Sequence, residues 1–301
     1  LKTRHQQTST APDPGAKKDA VSLGDILTQV RRSIRSVPNV SATESEQLVS
    51  AACSFPVSTL YAHPELPLPH SMEQRIMAWL DARRNSVPLA YLTGSCEFWS
   101  LPVKVNPETL IPRPETELLV EQALMLLEPN QPALAADLGT GSGAIALALA
   151  HERPQCVIDA TDISSPALAM ARHNADQLDL AQRIRFHEGD WCAALFKKNY
   201  DLIISNPPYI AANDPHLPAL RHEPHHALVS GNHGLYAIET ILDQARRYLR
   251  PNGWLLIEHG YDQGPQVFER AIELGYIEVQ TIHDLADHPR VCKARWPVLT
   301  R

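Results

Sequence analysis

The chain lacks any apolar run long enough to cross a bilayer. Its longest uniformly apolar stretch, Ala144 to Ala150, falls far short of the ~20 residues that a spanning helix needs. Residues 1–20 are polar, with Pro12, Pro14 and Gly15, and have no apolar centre of the kind a secretory leader carries. They read as a disordered tail. The chain opens on Leu1 rather than Met, which suggests a trimmed or internal start. Paired cysteines are missing too. Cys53, Cys96, Cys156, Cys192 and Cys292 are scattered without disulfide or metal-site spacing, which excludes a cysteine-stapled secreted scaffold and points to reduced thiols in the cytoplasm. Positive charge is scarce. Lys and Arg number 27 against 34 Asp and Glu, a net charge of −7, and basic residues occur only in short pairs such as Arg31-Arg32 and Arg246-Arg247. Broad adhesion to nucleic acid needs clustered cations that displace phosphate counter-ions, so no direct nucleic-acid partner is expected. His216, His222, His225, His226 and His233 share one loop-rich span, but their spacing fits no tetrahedral zinc pattern and no metal is expected.

With 44% hydrophobic residues in 301, the chain can bury one large core and one smaller one. Leu23, Ile26, Leu27, Val30 and Ile34 recur at helical spacing. Further helices are expected from Thr43 and from Ser71, with capping boxes formed by Thr43 with Glu46 and by Ser71 with Gln74. Residues 21–90 thus read as a helical domain. Residues 91–112 read as a hairpin linker in which Phe98 and Trp99 are packing residues, and 113–301 as alternating strand and helix, an α/β domain with a mostly parallel sheet. Strands are expected near 134–138, 156–161, 183–187, 200–205 and 253–258, and helices near 142–151, 165–178, 235–249 and 264–274. Two last strands, near 276–283 and 290–296, lie too close for a crossover helix and should pair antiparallel.

Two motifs carry chemistry. Tyr200-Asp-Leu-Ile-Ile-Ser205 runs as a strand into Asn206-Pro207-Pro208-Tyr209. Prolines have no N–H and push the preceding residue to extended geometry, so the Asn206 side-chain oxygen and the Pro207 carbonyl can each accept one N–H of a planar –NH2 group, with the Tyr209 ring over its face. Asn-Pro-Pro is also ordinary turn chemistry. Upstream, Ala133-Leu-Ala-Ala-Asp-Leu-Gly139-Thr140-Gly141-Ser142-Gly143 is a strand entering a glycine-rich turn before an apolar helix, the start of a nucleoside site. The spacing Gly139-x-Gly141-x-x-Ala144 fits a dinucleotide fingerprint equally well. Asp162, ending the next strand, stands where an acid takes ribose hydroxyls, and Asp190-Trp191 after a third strand can flank an adenine. Asp137 either orients the glycine turn or balances a cationic ligand.

Together these segments resemble class I S-adenosylmethionine-dependent methyltransferases that act on amino groups. Leu89-Ala-Tyr-Leu-Thr-Gly94, Leu110-Ile-Pro-Arg-Pro-Glu-Thr-Glu117, Arg221-His-Glu-Pro224, Gly234-Leu235 and Arg290-Val291 are similar to the peptide-chain release factor glutamine methyltransferases, the HemK family, over about residues 71–295. The resemblance implies a seven-stranded Rossmann-like sheet with its final strand reversed. It implies that S-adenosylmethionine is bound by Gly139, Thr140, Gly141, Ser142, Gly143, Asp162, Asp190, Trp191 and Asn206. Asn206, Pro207 and Tyr209 would be catalytic, and these with Pro208, Arg113 and Glu115 would contact substrate. Glu223 is a further candidate, although acids and arginines near 113–117 also serve as helix-start charges. The expected substrate is the glutamine of the Gly-Gly-Gln loop of class I release factors, and the expected state a monomer. Alternatives stay open: a ribosomal-protein glutamine methyltransferase, an adenine-N6 nucleic-acid methyltransferase, a silent cofactor-binding module and a nicotinamide dehydrogenase.

Overall fold

The computed structural model describes residues 21–298 apart from 36, 38, 39, 42, 197 and 198, so the expected tail at 1–20 lies outside the described residues. The chain divides into two compact units, 1–89 and 90–301.

In the first unit, helix α1 (Leu23–Ile34) presents the predicted stripe, Leu23, Ile26, Leu27, Val30 and Ile34, to a buried core. Ser22 caps it by accepting from Asp25 N at 3.2 Å. Helices α2 (Glu44–Cys53), α3 (Val57–Ala62) and α4 (His70–Arg84) complete that core with Leu48, Leu60, Ile76 and Leu80. Neither expected capping box forms. Thr43 already has helical dihedrals and makes no cap bond, while Glu46 is drawn away by Arg31, Ser45 and Tyr61. Pro69, not Ser71, precedes α4, because a proline at that boundary presets the turn. Across this core Arg83 Nε meets Glu44 at 2.5 Å with both side chains about nine-tenths buried. Removing one partner strands the other charge away from water, so Arg83→Ala should destabilise by about 3–5 kcal/mol in denaturant unfolding. The exposed Arg270–Glu273 pair should give less than about 1 kcal/mol.

In the second unit, helix α5 (Leu89–Thr93) leads to a hairpin of β1 (Ser95–Phe98) and β2 (Leu101–Lys104). Phe98 is buried in the main core and Trp99 packs partly buried against it, with its indole N–H on Glu152. After a turn at Pro114–Thr116 come α6 (Glu117–Leu126), β3 (Ala133–Leu138), α7 (Ala144–Glu152), β4 (Cys156–Asp162), α8 (Ser165–Gln177), β5 (Ile184–Glu188) and β6 (Tyr200–Ser205). The chain then runs through α9 (Tyr236–Ala245), β7 (Leu249–Glu258), α10 (Gly264–Glu273), β8 (Ile277–His283) and β9 (Pro289–Arg295). The described strands from β3 onward form one seven-stranded sheet, ordered β5-β4-β3-β6-β7-β9-β8. All its pairs are parallel except those of β9, which runs antiparallel to β7 and β8, as the reversed final strand requires.

Three boundaries differ by two or more residues from the expected ones, for local reasons. Helix α7 starts at Ala144, since Gly143 is left-handed (φ 87°) and belongs to the turn. Helix α9 stops at Ala245, because the Tyr248 carbonyl is taken by Tyr200 N (2.9 Å) and the chain must leave the helix to reach it. Strand β7 begins at Leu249 rather than 253: Pro251-Asn252-Gly253 is a bulge within the strand, where the register jumps from Tyr200–Leu249 to Leu202–Trp254. Buried on both sides, α7, β3 and β6 have no polar face to show, which is why they read as continuous apolar runs.

Candidate active site

Strand register brings the motifs together. Leu138 is level with Thr161 and Ser205, Asp162 with Glu188, and Ser205 with Ile257. Gly139, Asp162, Gly189-Asp190, Asn206 and Glu258 therefore emerge side by side at the carboxyl edge. The strand order departs in opposite directions from β3 and β6, so Gly139 and Asn206 flank the switch point at which open parallel sheets take ligands. Ser205 Oγ donates to the Leu138 carbonyl at 2.7 Å and pins the two strand ends together.

The glycine turn is shaped from beneath. Gly139 N and Thr140 N both donate to the Thr161 carbonyl (2.8 and 2.9 Å), which the positive φ of Gly139 (70°) permits. Asp137 Oδ2 accepts from Thr140 Oγ1 (2.6 Å) and Ala146 N (3.2 Å), so this acid orients the turn. Burial pushes its carboxyl up to about 7, against the pull of those two bonds. Thr140 and Ser142 are buried; the Ser142 carbonyl accepts from Asn174 Nδ2 at 2.9 Å. With Gly143 they hold the turn, and the cleft surface itself is formed by Gly139 and Gly141.

That cleft, about 290 Å³, is also lined by Asp162, Asp190, Trp191 and Asn206. Asp162 is preset by backbone: its Oδ2 accepts from Gly141 N (2.8 Å) and its Oδ1 from Ser164 N (2.9 Å). Each oxygen keeps a further lone pair for a hydroxyl. The Trp191 ring crosses Gly139 so closely that a Cβ there would stand 2.9 Å from it. A Cβ on Gly141 would meet nothing within 4 Å, which leaves room for a ligand against the turn. Three carboxylate residues, Glu108, Asp162 and Asp190, line the cleft, and among the described residues no Lys or Arg lines it. This suits a cationic nucleoside and opposes a pyrophosphate, which would need compensating donors of positive charge.

A second cleft of about 250 Å³ shares Leu110, Asn206, Pro208 and Ala227 with the first and adds Pro207, Tyr209 and Arg113. The turn leaving β6 is therefore the partition between two spaces. Tyr209 OH donates to Glu258 Oε1 at 3.2 Å, and burial beside that acid raises its phenol well above the usual range. Arg113 is ion-paired with Glu223, a buried carboxylate that also accepts from Ile111 N (3.2 Å). Glu223 thus sets Arg113 at the rim. Glu115 is exposed and lines neither cleft, and of the five histidines only His226 reaches one. Leu110 lines both clefts and Tyr236 the first, roles that sequence reasoning missed. Thr116 is an uncharged residue of the Pro-Arg-Pro-Glu-Thr-Glu segment and carries no signal of its own; Tyr236 has none beyond its place after Gly234-Leu235.

Comparison with known proteins shows the family and the fold. The family described as Methyltransferase small domain matches residues 115–270, and the PrmC N-terminal domain matches 25–94. The release factor glutamine methyltransferase of Coxiella burnetii is 42% identical over 275 residues, 91% of this chain and 99% of that protein. That of Xylella fastidiosa strain 9a5c is 45% identical, covering 86% and 94%, and that of Escherichia coli K12 46% identical, covering 79% and 86%. A solved methyltransferase from Pyrococcus furiosus matches in fold, with a TM-score of 0.51 at 19% identity over 66% of this chain and 90% of its own. No helix among the described residues is long and apolar enough to cross a membrane.

Proposed function

The chain belongs to the release factor glutamine methyltransferase family, and from that membership we propose how its residues act. It is an S-adenosylmethionine-dependent methyltransferase whose substrate is a glutamine of a release factor. We assign the acceptor atom as the side-chain amide nitrogen, N5, of the glutamine in the Gly-Gly-Gln loop of class I factors. The observation that carries the reading is the Asn206–Tyr209 turn, which lines both the acidic nucleoside cleft and the second cleft. One space takes the methyl donor and the other takes the glutamine.

In the first cleft, Asp162 would hold ribose hydroxyls, Asp190 and Trp191 would flank the adenine, and the backbone of Gly139 and Gly141 would admit the amino-acid arm. Thr140, Ser142 and Gly143 keep that backbone in shape. S-adenosylmethionine, when bound, supplies an electrophilic methyl carbon on a sulfonium centre. An amide nitrogen is a poor nucleophile because its lone pair is delocalised into the carbonyl. Asn206 Oδ1 and the Pro207 carbonyl accept the two N–H groups, hold the nitrogen in line and stabilise the positive charge that develops on it. Pro208 and the Tyr209 ring close the turn over the amide, and Arg113 sits at the mouth. No base is required, since an N-methylated, protonated amide loses its proton readily to water. Glu115 in this reading acts at the rim with the incoming protein.

The helical residues 21–90 are assigned to docking of the release factor, residues 91–112 to the linker and 113–301 to catalysis. The same reading makes the enzyme a cytoplasmic monomer without direct nucleic-acid or membrane contacts. Its test is a mass map of a release factor treated with enzyme and donor: one added methyl on the Gly-Gly-Gln glutamine is expected. Label entering nucleic acid or a ribosomal protein instead would overturn it. The donor cleft carries a separate prediction. Gly139→Ala forces a left-handed alanine against the Trp191 ring, so donor affinity in calorimetry should fall by about tenfold or more.

A further inference from the structure

Behind the Asn206 carboxamide runs a hydrogen-bond chain drawn from two other elements. Asn206 Nδ2 donates to Thr116 Oγ1 at 3.0 Å and Tyr209 OH donates to Glu258 Oε1 at 3.2 Å, while Glu258 Oε2 is buried without a hydrogen-bond partner and Thr116 is the neighbouring hydroxyl that acts on this carboxylate. Thr116 is 4% exposed and Glu258 1%, so water does not compete for these bonds. The register that sets Ser205 beside Ile257 delivers Asn206 and Glu258 to adjacent strand ends, and Thr116 closes the turn ahead of α6. None of this chain is used by the chemistry described above except its two ends.

The direction of the amide follows from donor and acceptor counting. An ionised carboxylate only accepts, so a Thr116 hydroxyl turned to the open Glu258 Oε2 donates to it, and the Thr116 oxygen then has only lone pairs to offer. The group facing it must be the Asn206 –NH2. With the nitrogen committed to Thr116, Oδ1 is the end of the amide left for a ligand in the clefts that Asn206 lines. A flipped amide would aim –NH2 at the substrate –NH2, donor against donor.

We propose that Thr116 and Glu258 are positioning residues that fix which end of the Asn206 carboxamide meets the substrate glutamine and, through the Tyr209 hydroxyl, hold the far end of the same turn. This rests on the function proposed above and adds to it the means by which Asn206 is kept productive.

Protonation tests the logic, because a neutral Glu258 can donate to Thr116, freeing the Thr116 hydroxyl to donate to Asn206 Oδ1 and so to stabilise the wrong orientation. The groups facing Glu258 are Thr116, Tyr209, Arg290 from β9 and Glu115; burial dominates and lifts its carboxyl to about 7, with Thr116, Arg290 and Tyr209 opposing and Glu115 adding to the rise. The productive, ionised form prevails above that value. Turnover should therefore fall as pH drops through about 7.

The experiment measures methyl transfer to an intact release factor from about pH 6 to about pH 8.5, beside donor affinity by calorimetry. Thr116→Val should lose about 10²-fold in turnover with donor affinity held within about threefold, and Thr116→Ser, which keeps the hydroxyl, should recover most of it. Glu258→Gln, whose amide donates as the protonated acid does, should be slow with a flat profile. In donor-free protein the Asn206 side-chain amide protons, assigned by their loss in Asn206→Asp, should be protected from exchange and lose that protection in Thr116→Val. The relay is overturned if Thr116→Val or Glu258→Gln turns over like wild type, if serine rescues no better than valine, or if the acid limb persists in Glu258→Gln. A wild-type enzyme that transfers nothing to a release factor overturns the function itself, and the relay with it.

Discussion

Asn206→Ala is expected to lower turnover on a release factor by about 10²- to 10³-fold while donor affinity changes by less than about fivefold. The asymmetry follows from where Asn206 stands. It is one of many residues lining the cleft proposed for the donor, among them Asp162, Asp190, Trp191 and the glycine turn. In the proposed mechanism its oxygen, by contrast, is one of two acceptors for the nitrogen under attack, and a preorganised bond that strengthens with developing charge is lost from the transition state rather than from the ground state. Single-turnover rates with saturating donor, set beside calorimetric affinity, check the prediction. Loss confined to KM would mean that Asn206 merely binds the glutamine, and unchanged turnover would remove it from the chemistry.

The same turn shows how far a sequence can be read. Asn206-Pro207-Pro208-Tyr209 is contiguous, its prolines dictate backbone geometry, and its role could be argued without coordinates. The strand-end acids Asp162 and Asp190 were equally legible, since a parallel sheet puts successive strand ends in one row. The antiparallel pairing of β8 with β9 followed from their short connection, and the reversed β9 from the family likeness. Local turns fared worse: Thr43 and Ser71 carry capping spacing, but Arg31 claimed Glu46 and Pro69 took the helix start. Propensity yields there to tertiary partners. Thr116 and Glu258 were hidden for a different reason. They lie about ninety and fifty residues from Asn206 in the chain, and only strand register makes them its neighbours. A threonine and a glutamate have no spacing rule that links them to an asparagine.

The separation of the two clefts also explains why charge and shape divide the work. Carboxylate residues line the cleft proposed for the donor with no Lys or Arg among its described lining residues, whereas the second cleft is lined mainly by apolar residues, among them Leu110, Ile210, Leu220 and Leu228, with its guanidinium paired with Glu223. An uncharged carboxamide fits that second space without a desolvation penalty that a charged side chain would incur. A nicotinamide cofactor would have to bring its pyrophosphate to the acidic wall, which the absence of Lys or Arg among its described lining residues opposes.

Gly234→Ala should be the most damaging single methyl added to this domain. Gly234 has a φ of +75°, and a Cβ there would lie 2.1 Å from the Tyr209 carbonyl oxygen and 2.7 Å from Gln263 Nε2. Neither neighbour can give way alone. Gln263 Nε2 donates to that same Tyr209 carbonyl at 3.0 Å, and Gln263 Oε1 accepts from Gly260 N at 2.9 Å, so the carbonyl, the amide and the start of α10 are clamped together. Relief must come from moving either the 231–235 segment or the Asn206–Tyr209 turn. A left-handed alanine costs about 1–2 kcal/mol by itself; a backbone collision adds the loss of the Gln263 bonds, for a total expected destabilisation of about 3–5 kcal/mol. Gly94 supplies the control, with φ +70° and nothing within 4 Å of its missing Cβ. Gly94→Ala should therefore show the left-handed cost and no more. Where Gly234→Ala still folds, displacement of Tyr209 should reduce turnover by about 10²-fold or more, since a shift of about 1 Å in a positioning element has that scale of effect. Denaturant unfolding of the two variants isolates the collision as their difference. Equal losses would mean that the Tyr209 carbonyl yields freely, and the turn would then be too soft to hold a glutamine nitrogen in line.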